Sequence, residues 1–148
     1  MKRIIALLLL IYSVKAIELG GFIGQASNEK GFFYGIYGGF DFLPMMSLEI
    51  EGTKYLSLEL ISVGLNLQLS FCIGGQVCPY GIFGYGIMSE PQKTPNLLNF
   101  DRLYNQLGGG MRFNVFSEIL EFRIDFRKIS PRFEGPFYRG YIGVLLSL

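Results

Sequence analysis

From Leu120 to Arg127 the chain reads Leu-Glu-Phe-Arg-Ile-Asp-Phe-Arg, apolar and charged residues alternating without exception. Successive side chains of a strand point to opposite sides, so Leu120, Phe122, Ile124 and Phe126 share one face. Glu121, Arg123, Asp125 and Arg127 share the other, with signs alternating along it. An amphipathic helix would group its apolar residues at spacings of three and four, whereas here they recur at every second position. A fold that uses this strand turns its apolar face either to a protein core or to lipid, and most of the function depends on which.

The same period recurs in about eight strand-like segments separated by turn signals. Ile17 to Ala26 is Gly-rich and its faces stay unassigned. In Phe32 to Phe42, residues Phe32, Tyr34, Ile36, Phe40 and Phe42 oppose Tyr37 and Asp41. In Met46 to Thr53, residues Met46, Leu48 and Ile50 oppose Ser47, Glu49, Glu51 and Thr53. The fourth segment is the longest and cleanest, with Ile61, Val63, Leu65, Leu67, Leu69 and Phe71 against Ser62, Gly64, Asn66, Gln68 and Ser70. Its phase disagrees with Leu56, Leu58 and Leu60, which predicts a bulge or a loop end near Leu60. Val77 to Met88 mixes Gly and aromatics on both faces and resists orientation. Arg102 to Val115 sets Leu103, Leu107, Met111, Phe113 and Val115 against Tyr104, Gln106, Arg112 and Asn114, with Asn105 a polar interruption on the apolar side. After the seventh segment, from Leu120, Phe137 to Leu148 sets Tyr138, Ile142, Val144, Leu146 and Leu148 against Arg139, Tyr141, Leu145 and Ser147.

The amino terminus reads as a secretion signal. Lys2 and Arg3 precede an uncharged run from Ile4 to Val14, and Val14-Lys15-Ala16 offers small or modest side chains at the positions a signal peptidase reads. Residues 1–16 are therefore expected to be removed. The run is shorter than the about 20 apolar residues of a membrane-spanning helix, which disfavours a retained anchor. Taking 16 residues from 148 leaves 132, enough for one domain, residues 17–148. The whole chain carries 20 Gly, 9 Tyr and 14 Phe, a composition suited to short strands closing a barrel. A net charge of +1 provides no basic field for nucleic acid.

Connection lengths alternate. Ser27 to Lys30, Lys54 to Ser57, Ser89 to Asp101 and Ser130 to Pro136 are the longer connections, and Leu43-Pro44-Met45, Ile73-Gly74-Gly75 and Phe116-Ser117 mark tight turns. Short turns on one rim and longer loops on the other characterise bacterial outer-membrane barrels, the turns being periplasmic. Cys72 and Cys78 flank one of the tight turns. In an oxidising compartment they either close a small hairpin disulfide or stay as two thiols. Their spacing lacks the four-ligand pattern of a zinc site, and the chain has no His to complete one.

The carboxyl terminus, Tyr141-Ile142-Gly143-Val144-Leu145-Leu146-Ser147-Leu148, resembles the terminal β-signal of outer-membrane barrels at Tyr141, Gly143, Leu146 and Leu148. It departs from the commonest form in ending on Leu148 where Phe is usual. With the signal segment and about eight strands, the chain resembles the small OmpA/OmpX-type barrels across Ile17 to Leu148. The resemblance implies an all-β fold, a closed antiparallel up-and-down transmembrane barrel of eight strands. It further implies a place in the bacterial outer membrane and capture by the barrel assembly machinery through the last strand.

In hydrocarbon every backbone N–H and C=O needs an internal partner, so a spanning sheet must close. An eight-stranded barrel encloses a lumen just wide enough for side chains to fill. Asp41, Glu49, Glu51, Glu121 and Asp125 against Arg112, Arg123, Arg127 and Arg139 offer a filling close to charge balance, as buried charge requires. These residues are expected to form a lumenal ion-pair network, with a narrow ion path as the alternative. Lys30, Lys54, Lys93, Lys128 and Arg132 fall near the loop rim, where they would be solvated charges or contacts for lipopolysaccharide phosphates. Phe100, Phe133, Tyr34 and Tyr138 suit an interfacial girdle, or else contacts to an extracellular partner whose identity is open.

Catalysis is not expected. Without His the usual general base for nucleophilic hydrolysis is missing, and Glu49 with Glu51 beside arginines is more simply explained as salt-bridge partners. Gly108-Gly109-Gly110 lies within an alternating strand and lacks the Lys-Ser/Thr continuation of a phosphate loop. No cofactor is implied. The expected function is that of an integral outer-membrane protein serving envelope structure or surface interaction through its loops. The alternatives are a secreted lipocalin-like carrier of an apolar ligand and a minor narrow channel. A soluble carrier would put apolar side chains inward and charges outward, and alternation alone does not say which face is inside.

Overall fold

The structure, a computed structural model, describes residues 17–89, 102–117, 119–132 and 134–148; the expected signal segment, Lys93, Phe100 and Phe133 lie outside them. Eight strands follow in chain order: β1 (Ile17–Ala26), β2 (Gly31–Leu43), β3 (Met46–Tyr55), β4 (Leu60–Ser70), β5 (Val77–Ser89), β6 (Arg102–Ser117), β7 (Leu120–Pro131) and β8 (Phe137–Ser147). Each pairs antiparallel with its neighbours, and β8 returns to β1 to close the barrel. The closing register runs from Glu18↔Ser147 to Ala26↔Arg139. Strands of 10 to 16 residues meet the length that a tilted strand of about 9–11 residues needs to cross a bilayer.

Strand edges differ from the sequence reading by a few residues, and two of the differences have a local cause. β7 extends to Pro131, because Ile129 continues the inward phase and is fully buried. Leu60 is the first residue of β4 and also points inward, so the phase conflict at Leu56 and Leu58 marks the end of an exposed loop. Register slips once between Asp41 and Leu43 and once between Asn114 and Ser117, each next to a tight turn.

The barrel is apolar outside and polar inside. Ile36, Phe126 and Ile142 are 72%, 69% and 59% exposed, whereas Arg123, Asp125 and Arg139 are at most 1% exposed. The orientation of β5 now follows: Cys78, Tyr80, Ile82 and Met88 are buried in the lumen, and Phe83 and Tyr85 face out. Aromatic side chains mark both ends of the outer wall, with Phe32, Tyr34, Tyr85 and Tyr138 toward the loops and Phe40, Phe42 and Phe71 toward the turns.

Glycine makes room for the inward rings. Tyr80 lies in register with Gly110, where an added Cβ would come within 2.6 Å of the Tyr80 hydroxyl. Tyr104 covers Gly86 in the same way, at 2.2 Å. Gly108 similarly accommodates the Arg127 stem, 2.8 Å from its Cγ. The triplet at residues 108–110 thus permits close packing in the wall.

Candidate functional site: the lumen and its rims

The lumen is built from charges on opposite walls. β3 and β7 lie four strands apart in a ring of eight, so the side chains that join them cross the interior. Arg123 of β7 pairs with Glu49 of β3 and with Asp125, 3.1 Å away, and its Nε donates to the Tyr80 hydroxyl at 2.5 Å. Arg127 donates to Asp125 Oδ1 at 2.7 Å and to Glu51 at 2.7 Å, and lies 3.4 Å from Glu49. Arg139 of β8 pairs with Glu51 and donates to the Gln106 side-chain Oε1 at 3.0 Å and to the Thr53 hydroxyl at 3.3 Å. Asn66 donates to Glu49 at 3.1 Å, and Gln106 donates to Asn66.

Aromatic faces stack against the guanidiniums. Arg123 lies 4.7 Å from the Tyr80 ring centroid and 5.0 Å from that of Tyr37, a cation–π arrangement in a site withdrawn from water. Alternation in sequence becomes a chain of contacts because side chains two apart on β7 sit one above another, letting Asp125 touch both Arg123 and Arg127.

Toward the turns a second group forms around Arg112, which holds Glu18 through two bonds of 2.6 and 3.0 Å and lies 3.8 Å from Glu121. Glu18 was not among the expected network residues, because Gly-rich β1 shows no clean alternation. Asp41, which was among them, is half-buried on the last part of β2 and forms no ion pair among the described residues. The structure therefore brings Glu49, Glu51, Arg123, Asp125, Arg127 and Arg139 into one cluster, places Arg112 and Glu121 in another, and leaves Asp41 at its edge.

Toward the loops the lumen ends in an apolar cap. Phe33, Tyr55, Leu60, Met88, Ile129 and Phe137 are all at most 3% exposed. Outside the cap, Glu134 holds Lys30 at 3.2 Å and also pairs with Arg102, joining two loop regions and the start of β6. At the opposite rim Cys72 and Cys78 are joined in a disulfide with Cα atoms 4.0 Å apart. Asn114 of β6 donates to the Gly75 carbonyl at 2.9 Å and so fastens that turn to the next strand.

The β-signal residues divide between faces: Tyr141 and Gly143 point inward, Leu146 and Leu148 outward. Gly143 is in register with Phe22 of β1, and Leu148 N–H donates to the Ile17 carbonyl at 2.8 Å beside the seam.

No family model and no curated protein sequence matches the chain. Solved structures are similar to it. The N-terminal β-barrel domain of Pseudomonas aeruginosa OprF aligns with a TM-score of 0.75 at 14% identity, covering 91% of this chain and 98% of that one. Neisserial surface protein A, NspA, aligns at 0.64 with 12% identity, covering 88% and 95%. The Yersinia pestis outer membrane protein Ail, in a phospholipid bilayer nanodisc, aligns at 0.56 with 13% identity, covering 88% and 99%. At such identities the likeness concerns the fold, on which unrelated functions can be placed. The chain has the closed eight-stranded fold of the small OmpA/OmpX-type β-barrels.

Proposed function

We propose that this chain is an integral protein of a bacterial outer membrane, exported behind a cleaved signal at residues 1–16. Its filled barrel serves envelope structure or surface interaction through the longer connections between strands. The observation that carries the reading is the inversion of the barrel: large apolar side chains face out over the whole wall while the acids and arginines face in. A contiguous apolar surface of this extent is unstable in water and suits hydrocarbon. The same inversion counts against a lipocalin-like carrier, whose apolar residues would face the lumen.

The charged cluster acts as filling. Glu49 and Glu51 are held across the lumen by guanidiniums of β7 and β8, and Asp125 is held by Arg123 and Arg127 on its own strand. The apolar cap covers the loop end, and together these features count against an ion path and against acid–base catalysis by these carboxylates. Reproducible conductance in planar bilayers would overturn this part of the reading. Proposed partners are the barrel assembly machinery, recruited by the β8 terminus, and outer-leaflet lipid, including lipopolysaccharide phosphates at the rim cations.

Gel mobility of the protein in isolated outer membranes, with and without boiling in detergent, tests location and closure together. A heat-dependent shift in that fraction is expected. Recovery as soluble periplasmic protein with no shift would refute the membrane reading and favour the carrier.

A further inference from the structure

The outer wall carries no acidic side chain on any described strand, and its only charged residues are Lys54 on β3 and Lys128 on β7. Both are exposed, both stand within four residues of the loop-bearing end of their strand, and neither forms an ion pair among the described residues. Lys30 and Arg102, by contrast, are held by Glu134. Each outward lysine is in register with a tyrosine on the neighbouring strand, Lys54 with Tyr34 and Lys128 with Tyr138. Because β3 and β7 are opposite in the ring, the two Lys–Tyr pairs stand on opposite walls at the same rim.

The surroundings of Lys128 extend this pattern. Gln25, Asn105 and Ser130 turn neutral polar groups outward on β1, β6 and β7. An open groove of about 950 Å³ runs from Phe126 and Ile142 past Gly140 and Ile23 up to Gln25, Tyr138 and Tyr34 at the same rim. A second groove near the turns, about 680 Å³, is lined by Ile17, Leu19, Leu48 and Ile50 and carries no outward charge. Among the described strand residues of the outer wall, the unopposed ammonium groups stand where the apolar wall meets the loop-side interface, so charge complementarity selects the occupant.

We propose that each Lys–Tyr pair holds the phosphate of a net-anionic lipid in the loop-side leaflet, with the Lys128 pair also seating that lipid's chain in the groove beside Gly140. The ammonium supplies the charge and the tyrosine hydroxyl a second donor, while the ring lies at the depth where aromatic side chains settle. The inference rests on the membrane reading above and adds which side chains hold the lipid phosphate and where its chain lies on the wall.

The full folded chain, reconstituted in phosphatidylcholine vesicles, is examined by electron paramagnetic resonance with spin-labelled phosphatidic acid and, separately, spin-labelled phosphatidylcholine. Both labels are expected to show a motionally restricted population, with phosphatidic acid preferred about fivefold, the size expected for a lysine at an anionic headgroup. The preference should fall to near unity in K54Q/K128Q, by a part in either single variant, and not at all in K30Q. Equal association of both labels with the unaltered protein would overturn the inference while leaving the membrane reading intact, as would a preference that survives K54Q/K128Q. Absence of any restricted label would overturn the membrane reading and this inference with it.

Discussion

Glu51 is the residue on which the filling can be tested most directly. It is fully buried and is shared by Arg127, 2.7 Å away, and by Arg139. The two arginines are not equally dependent on it. Arg127 keeps Asp125 at 2.7 Å and Glu49 at 3.4 Å, whereas Arg139 has no other carboxylate partner among the described residues and keeps only the neutral oxygens of Gln106 and Thr53. Glu51→Gln preserves shape and leaves Arg139 charged, buried and without a counter-charge.

At an effective dielectric of about 20, a contact near 4 Å is worth roughly 4 kcal/mol, and part of the loss is offset because Glu51 itself no longer has to be desolvated. Measured losses for one partner of a buried pair, about 3–5 kcal/mol, set the expected size. Arg139→Met should cost less, since Glu51 retains Arg127. Combining the two should restore part of the loss, with a coupling of about 1–3 kcal/mol. Urea titration of the protein in phospholipid vesicles, scored by gel mobility without boiling, separates folded from unfolded chain and measures each corner of the cycle. A Glu51→Gln variant within about 1 kcal/mol of the parent, or a double variant whose loss equals the sum of the singles, would refute the assignment of Arg139 to Glu51.

Three further outcomes are expected. Leu67→Arg, on the outer wall midway along β4, should destabilise the inserted barrel by about 2–4 kcal/mol in the same titration, and unchanged stability would contradict the lipid-facing assignment. Intact-mass measurement after alkylation without reductant should find no modified cysteine, while two added groups would show that Cys72 and Cys78 are free; replacing both with Ser should lower stability by about 2 kcal/mol, as for a short closed loop. Gly110→Ala should cost about 1–3 kcal/mol, because its Cβ would meet both the Tyr80 hydroxyl and the Ile124 carbonyl; a neutral effect would mean that the wall yields there.

Legibility in the sequence followed the chemical contrast between faces. β3, β4 and β7 alternate apolar with polar or charged residues, so the residues sharing each of their two faces could be read in advance, although β7 runs beyond its charged alternation to Pro131. β5 could not be oriented because Tyr80, Ile82 and Met88 inside are as apolar as Phe83, Tyr85 and Ile87 outside. The same ambiguity hid the apolar cap, since Phe33, Tyr55 and Phe137 differ from outward aromatics only in strand phase. Glu18 was missed for want of alternation in β1, and Arg112 gave no signal for it, because the expected acids already outnumbered the lumenal arginines and Glu121 lies near Arg112. Asp41 had the right parity, but parity does not report height. It lies beside the register slip at the turn rim, away from the crossing pairs.

The balance of the lumen explains why one interior can be both highly charged and closed. Four deeply buried acids, Glu18, Glu49, Glu51 and Asp125, meet four buried arginines, Arg112, Arg123, Arg127 and Arg139. Half-buried Asp41 and Glu121 add negative charge only near the turns, where water can reach them. Truncating any member of the β3–β7 crossing leaves its partner buried, so the filling holds opposite walls at a fixed distance. The cap of Phe33, Tyr55, Leu60, Ile129 and Phe137 then separates that network from the loops. Loop residues can therefore change without disturbing the interior charges, and a surface role that depends on loop sequence is compatible with a barrel whose inside tolerates little change.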